Sequence, residues 1–412
     1  VMQDALDAIE LLVPCQYGER IRICEGVEIR FTDVGHLLGS ASIEVWATED
    51  GVTKKIVFSG DIGNKNKPLI RSPQYIRQAD YVVMESTYGG RFHKNTGDHV
   101  EEFARVIQET LDKGGNVVIP AFAVGRTQEV LNYIRIIKEK NLVTGHGVFP
   151  VYLDSPMAVE ATGVFKDNMM DCYNEETKEL VKKGINPISF PGLHLSITSS
   201  DSVAINFNEE PKVIISAAGM CDAGRIRHHL KHNLWRPECT ILFAGYQAVG
   251  TLGRSITEGR EEVKLFGESI EVKARIEKIE GISGHADQDG LIRFITSFMD
   301  KPRQVFVVHG DDDVCDSFAG KLSKEYGISA FAPFSGTVYN LAEEKFEVIT
   351  KGIPIRREDE KDASKRAGGV FARLLAAADR LRRVVMHNEG GANKDLAKFA
   401  DQINSLCDKW DR

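Results

Sequence analysis

The run Gln304-Val305-Phe306-Val307-Val308 ends at His309-Gly310-Asp311, and it constrains the fold more than any other stretch. An apolar, β-branched run of that length reads as a buried strand. A polar side chain just past it lies where α/β folds assemble their sites, at the C-terminal ends of strands. Four further stretches follow the same plan. Arg30–Gly35 runs into His36, the loosest case; Lys55–Gly60 runs into Asp61; Tyr81–Met84 runs into Glu85; and Ile282-Ser283-Gly284 leads to His285. Three histidines and two carboxylates at strand ends make a metal-dependent hydrolase the leading idea.

Composition narrows the setting. The 412 residues leave room for about two or three domains. A 42% hydrophobic and 27% charged chain can bury a sizeable globular core. No apolar run approaches a membrane span, so no membrane association is expected. The seven cysteines are scattered singly, without a C-x-x-C pair. That argues against a disulfide framework or a cysteine zinc site and fits a reducing cytoplasm, the expected location. The net charge of −8 gives no whole-protein attraction to nucleic acid, but leaves a local basic groove open. The sequence begins with Val1 rather than Met, and the expectation is a fragment or a processed product.

The strand-rich residues 21 to 88 come first, with strands expected at Val27–Thr32, Ser42–Ala47, Lys55–Ser59 and Tyr81–Met84. From about residue 97, helices and strands alternate, as in a parallel α/β unit. Residues 271 to 350 return to strand–helix–strand, starting with a strand at Lys273–Ile279. A second α/β domain therefore reads as inserted between two halves of a first. The expected boundaries are 1–90 and 266–354 for the halves, 91–265 for the insertion, and 355–412 for a charged linker and helical tail. The tail carries helical patterns at Val370–His387 and Asn393–Trp410. They are open to three uses: packing within the chain, mediating a homodimer, or contacting RNA.

Taken singly, the polar residues have bland readings. Ser59-Gly60-Asp61 is equally well a simple turn, and a lone histidine such as His36 is more often a satisfied core residue than a ligand. Taken together they are more specific. Gly35-His36-Leu37-Leu38-Gly39-Ser40-Ala41, Phe58-Ser59-Gly60-Asp61, Glu85-Ser86-Thr87-Tyr88-Gly89, Ser283-Gly284-His285-Ala286-Asp287 and Val308-His309-Gly310-Asp311 occur in one order. In that order the chain resembles the β-CASP subgroup of metallo-β-lactamase-fold nucleases over about residues 1 to 350. The resemblance implies an α/β fold: a metallo-β-lactamase-like αββα sandwich, its N-terminal part missing, with an inserted β-CASP domain and a helical tail beyond. It implies RNA as partner and zinc as cofactor, two ions in the full-length protein. His36 and His309 are implied as zinc ligands and Asp61 as the carboxylate bridging both ions. Glu85 and His285 are implied as a hydrogen-bonded pair, with His285 protonating the leaving oxygen. A carboxylate beside an imidazole favours the imidazolium, which suits that role. DNA-processing members are expected to carry an apolar residue where His309 lies, so the resemblance points to RNA. The family's His-x-His-x-Asp-His run, which precedes the His36 position, has no match here. About 100 residues, half a typical domain, are expected to precede this sequence.

Glycine-marked strand ends in the insertion offer substrate contacts. Phe122–Gln128 passes from strand to helix, and its amides and Arg126 suit a phosphate. Ser216-Ala217-Ala218-Gly219-Met220 precedes a helix that opens with Arg225; the basic run reads equally well as a solvated face. Gly245-Tyr246-Gln247 and Gly250–Arg254 form another such end. Arg126, Ser216, Gly219, Arg225, Gly245 and Arg254 are thus the expected substrate-binding residues. No G-x-G-x-x-G fingerprint is present, which weakens an oxidoreductase reading. The leading function is a zinc-dependent ribonuclease. A small-molecule hydrolase acting on thioesters or lactones and a non-catalytic RNA-binding pseudo-nuclease are the competitors.

Overall fold

The computed structural model describes residues 2–93, 98–353 and 393–410, with isolated positions between 377 and 385. The chain divides into two compact units, Val1–Thr350 and Lys351–Arg412. The second contains the helix Asn393–Trp410. The linker expected at Ile355–Ala367 lies outside the described residues, as does most of the helical pattern at Val370–His387.

The first unit is built on two sheets. One has seven strands: β1 (Arg20–Cys24), β2 (Val27–Asp33), β3 (Ala41–Glu49), β4 (Val52–Phe58) and β5 (Tyr81–Glu85), followed in space by β14 (Gln304–Val308) and β15 (Ala330–Phe331). β1 to β4 form antiparallel hairpins, and β4, β5, β14 and β15 are parallel. Asp50-Gly51 joins β3 to β4 with φ of +50° and +77°. A two-residue turn with both central φ positive matches the twist of a hairpin, and Asp-Gly suits it.

Strand alternation gives this sheet two different faces. Val57, Val82, Met84, Val305 and Val307 point to one face and are buried against Leu291, Phe294, Phe318 and Leu322. These come from the helices Gln288–Thr296 and Asp312–Tyr326. Ile29, Phe31, Ile43, Val45, Ile56 and Phe58 point to the other face and are only half-buried or exposed. At its β14 end this second face is covered by the hairpin of β16 (Val338–Asn340) and β17 (Lys345–Val348). Its Tyr339 and Phe346 pack on Phe306 and Phe331.

The other sheet has six parallel strands, in the order β13 (Arg275–Lys278), β10 (Thr240–Phe243), β6 (Val117–Pro120), β9 (Val213–Ser216), β7 (Val151–Asp154) and β8 (Leu193–Ser196). Its central strands are buried on both faces, as parallel sheets require. Phe103, Ile107, Val130 and Ile134 cover one side, and Ile226 and Leu230 the other. β11 (Glu262–Leu265) and β12 (Glu268–Glu271) form a separate hairpin.

One strand sits elsewhere than expected. β13 falls in the stretch assigned to the returning first domain, yet it pairs in parallel with β10. The chain leaves the second sheet only after Ile279. Hydrophobic pattern reveals that a strand exists, and says nothing of its neighbour.

Candidate active site

β2, β4, β5 and β14 run in one direction, because β2 and β4 each pair antiparallel with β3, and β4, β5 and β14 are parallel. Their C-terminal ends therefore share one edge of the sheet. His36, Asp61, Glu85 and His309 follow those ends. His285 arrives from the loop after β13. That loop is pinned to the same edge by Ala286 N–H donating to the Ile62 carbonyl at 2.7 Å and Asn64 N–H donating to the Gly284 carbonyl at 2.9 Å. All five residues are thus brought to one place.

Close backbone approach demands glycine at two of these turns. Gly60 has φ +59°, and a Cβ there would lie 2.7 Å from the Ala41 carbonyl oxygen. A Cβ on Gly284 would lie 2.9 Å from Cε1 of the His36 ring. His309 itself has φ +53°, a conformation non-glycine residues adopt at local cost, typically at functional positions.

Asp61 is the centre of the cluster. Its Oδ2 lies 3.8 Å from His36 Nε2 and its Oδ1 lies 3.3 Å from His309 Nε2. Each carboxylate oxygen thus faces a different imidazole. His36, Asp61 and His285 present donor atoms within 4.8 Å of one another. His36 is mostly buried, and burial, together with the positive potential of His285 and Lys67, pushes its pKa down to about 4. It is neutral at ordinary pH, the form in which imidazole ligates a metal. Two imidazoles flanking a carboxylate, one of them held neutral, suit a metal ion.

Glu85 and His285 form a second group. Glu85 is buried. Its Oε1 accepts from Ile62 N–H at 2.5 Å and its Oε2 from Thr87 N–H at 3.3 Å. His285 Nδ1 is 3.1 Å from Oε1 and 3.2 Å from Oε2. Burial raises the Glu85 pKa, but His285 and these donors outweigh it, and the carboxyl is held below its usual range. Burial likewise disfavours a charged His285, yet Glu85 prevails and the ring is held above the usual imidazole range.

The expected substrate residues divide. Gly245 and Arg254 line a cavity of about 410 Å³ beside the site, together with Tyr88, Arg91, Tyr246 and Lys278. Gly219 packs on Phe122, and its carbonyl accepts from Gln247 Nε2 at 3.0 Å. Arg126, Ser216 and Arg225 are not placed to receive substrate. Arg126 is mostly buried and bound to Glu129 and the Ile282 carbonyl. Ser216 is fully buried, its Oγ donating to the Asp154 carbonyl at 2.7 Å. Arg225 is held by Asp154 Oδ1 at 2.7 Å and by the Ile197 carbonyl at 2.8 Å. Two buried carboxylates, Glu129 and Asp154, claim both arginines. Pattern reading missed Arg91, Lys278, Lys67 and Glu129. Only their folded neighbours mark them.

Two family models match the chain. The Beta-Casp domain matches residues 127–256, and the Zn-dependent metallo-hydrolase RNA specificity domain matches residues 269–333. The chain is 35% identical over 311 residues to a ribonuclease of Thermus thermophilus, covering 76% of this chain and 69% of that protein. The chain belongs to the β-CASP metallo-β-lactamase nucleases. Another β-CASP relative, the RNase J-like protein of Methanocaldococcus jannaschii, is 35% identical over 344 residues, 82% of this chain and 76% of that one. The transcription termination factor FttA of Methanosarcina mazei is 31% identical over 328 residues, 78% of this chain and 50% of the factor. Membership carries a metal requirement, which the Asp61 cluster suits. Among the described residues no helix is long and apolar enough to cross a membrane.

Proposed function

We propose that this chain is a zinc-dependent ribonuclease that hydrolyses RNA phosphodiester bonds at the Asp61 cluster. The observation that carries the reading is Asp61 standing between His36 and His309, with the Glu85–His285 pair alongside. His36, His309 and Asp61 are the residues that would hold the metal, each oxygen of Asp61 facing one of the two imidazoles. Bound metal supplies an activated water near neutral pH and offsets charge on the phosphate oxygens.

The remaining chemistry belongs to the chain. Glu85 accepts the Nδ1 proton of His285 and fixes the ring. His285 Nε2 then carries the proton that the leaving oxygen needs. Tyr88, Arg91, Tyr246 and Lys278 line the adjacent cavity, where aromatic faces and cations suit bases and phosphates of a single strand.

The test compares zinc-loaded full-length protein with Asp61→Asn on single-stranded RNA and on DNA of the same sequence. The wild type is expected to cleave RNA in preference to DNA. The variant is expected to lose most of its zinc and all measurable cleavage, because an amide cannot bridge two cations as a carboxylate does. Equal turnover on RNA and DNA overturns the substrate assignment, and unchanged zinc with unchanged turnover in the variant overturns the site.

A further inference from the structure

The first turn of the helix Arg126–Glu139 lies against both loops that carry the site, and three charged side chains meet there. Glu129 is buried. Its Oε1 accepts from Lys67 Nζ at 3.0 Å and its Oε2 from Arg126 Nη1 at 2.6 Å. Each cation also has a second partner. Lys67 Nζ donates to the backbone carbonyl of His36 at 2.9 Å. Arg126 Nη2 donates to the backbone carbonyl of Ile282, three residues before His285. The packing around this group is equally close. Gly125, immediately before the helix, has φ +82°, and a Cβ there would lie 2.5 Å from Leu37 Cδ2.

Glu129 comes from the β-CASP domain, whereas His36 sits at the edge of the first sheet. Buried ion groups of this kind are weak sources of stability, since desolvation offsets most of the Coulombic gain. What this group holds is more specific: one carbonyl in the His36 loop and one in the His285 loop. We propose that Glu129, acting through Lys67 and Arg126, is a positioning residue by which the inserted domain sets the spacing of the metal-ligand loop and the proton-donor loop. The inference rests on the roles proposed above for His36 and His285.

The two arms have different consequences. The Lys67 arm reaches a ligand loop, so its loss shows in zinc affinity. The Arg126 arm reaches the His285 loop, so its loss shows in proton delivery. A lysine at position 126 keeps the charge but lacks the fork that spans Glu129 and Ile282.

The experiment uses full-length wild type, Lys67→Met, Arg126→Lys and Glu129→Gln. It measures zinc affinity by titration, and single-turnover cleavage at saturating zinc of RNA bearing a normal or an activated leaving group. Lys67→Met is expected to weaken zinc binding about 10- to 100-fold, the scale for groups that orient metal ligands, with the ratio of the two cleavage rates unchanged. Arg126→Lys is expected to bind zinc normally, yet to slow the normal substrate about 10- to 100-fold more than the activated one. Glu129→Gln is expected to show both effects with KM for RNA unchanged. Wild-type zinc affinity and rates in the folded variants overturn the inference. So does a parallel loss of every property together with melting temperature, which marks mere support of the fold. If Glu129→Gln does not fold, the two single arms decide. If the wild type cleaves neither RNA, the proposed reaction fails on its own account, and the zinc titration of Lys67→Met still decides for its arm.

Discussion

His285 Nδ1 lies almost equidistant from the two carboxylate oxygens of Glu85, at 3.1 and 3.2 Å. The carboxylate is itself fixed by the Ile62 and Thr87 amides. The ring therefore cannot turn without losing its partner, and the Nδ1 proton is held. An amide in place of Glu85 removes the charge that favours the imidazolium and offers only one accepting oxygen. Glu85→Gln is expected to slow cleavage about 10²-fold, within the range for general acid catalysis. Zinc content is expected to stay the same. Single-turnover rates with metal analysis check this, and a full rate in the variant shows that His285 needs no orienting carboxylate.

Gly284 gives a steric prediction. A methyl group there would lie 2.9 Å from Cε1 and 3.3 Å from Nδ1 of His36. Both atoms belong to a ring, so neither can swing aside as a flexible chain end would. Gly284→Ala is expected to push His36 away from Asp61 and weaken zinc binding about 10-fold or more, the scale for disturbed ligand orientation. Zinc titration of the purified variant measures it, and wild-type affinity shows that the loop yields instead.

Much of this site was legible before folding, for a definite reason. A polar residue directly after an apolar run is set by the strand itself, so His36, Asp61, Glu85 and His309 could be located one by one. Their convergence depends on β2, β4, β5 and β14 sharing a direction, and pairing direction is not written in any single strand. Arg126 shows the limit more sharply. Its setting after Gly125 reads as a phosphate loop, and nothing in the local sequence marks Glu129, three residues on, as buried. Burial of that carboxylate, created by Lys67 and Ile282 from distant segments, turns the arginine inward. Arg225 is withdrawn likewise by Asp154.

Asp154 gives the inserted domain one pH-dependent contribution to stability. Its side chain is fully buried at the end of β7. Oδ1 accepts from Ser196 and Arg225, and Oδ2 from Ser202 and His229. Burial raises its pKa, but the hydrogen bonds from His229, Ser196 and Ser202 outweigh it and hold the carboxyl well below the usual range. A carboxyl depressed by folding adds stability that is fully present above its unfolded pKa, about 4, and fades as pH falls below that value. Asp154→Asn leaves Arg225 without its counter-charge and takes from His229 its carboxylate partner. At pH 7 it is expected to destabilise the fold by about 3 kcal/mol, the scale for removing one partner of a buried pair. The gap between wild type and variant is expected to narrow as pH drops below about 4. Denaturant melts at several pH values test it, and a gap that widens in acid reverses the assignment.

Tyr246 and Arg91 line the cavity beside the site that is proposed to take an RNA strand. Tyr246 is half-exposed on the wall of the 410 Å³ cavity that borders Ser283, two residues from His285. The Arg91 guanidinium lies 4.2 Å from the Tyr88 ring centroid and 5.7 Å from that of Tyr246. An exposed aromatic face beside a cation is what a base and its phosphate need together. Stacking of one base is worth about 1–3 kcal/mol, so Tyr246→Ala is expected to weaken single-stranded RNA binding about 5- to 150-fold at every salt concentration. Arg91→Ala is expected to act differently, since a phosphate contact releases counterions. It lowers the slope of log affinity against log salt by about 1 and costs less at high salt. Both are measured by equilibrium titration on an Asp61→Asn background, where the RNA is not consumed. Equal affinities and equal slopes in all three proteins place the RNA path away from this cavity.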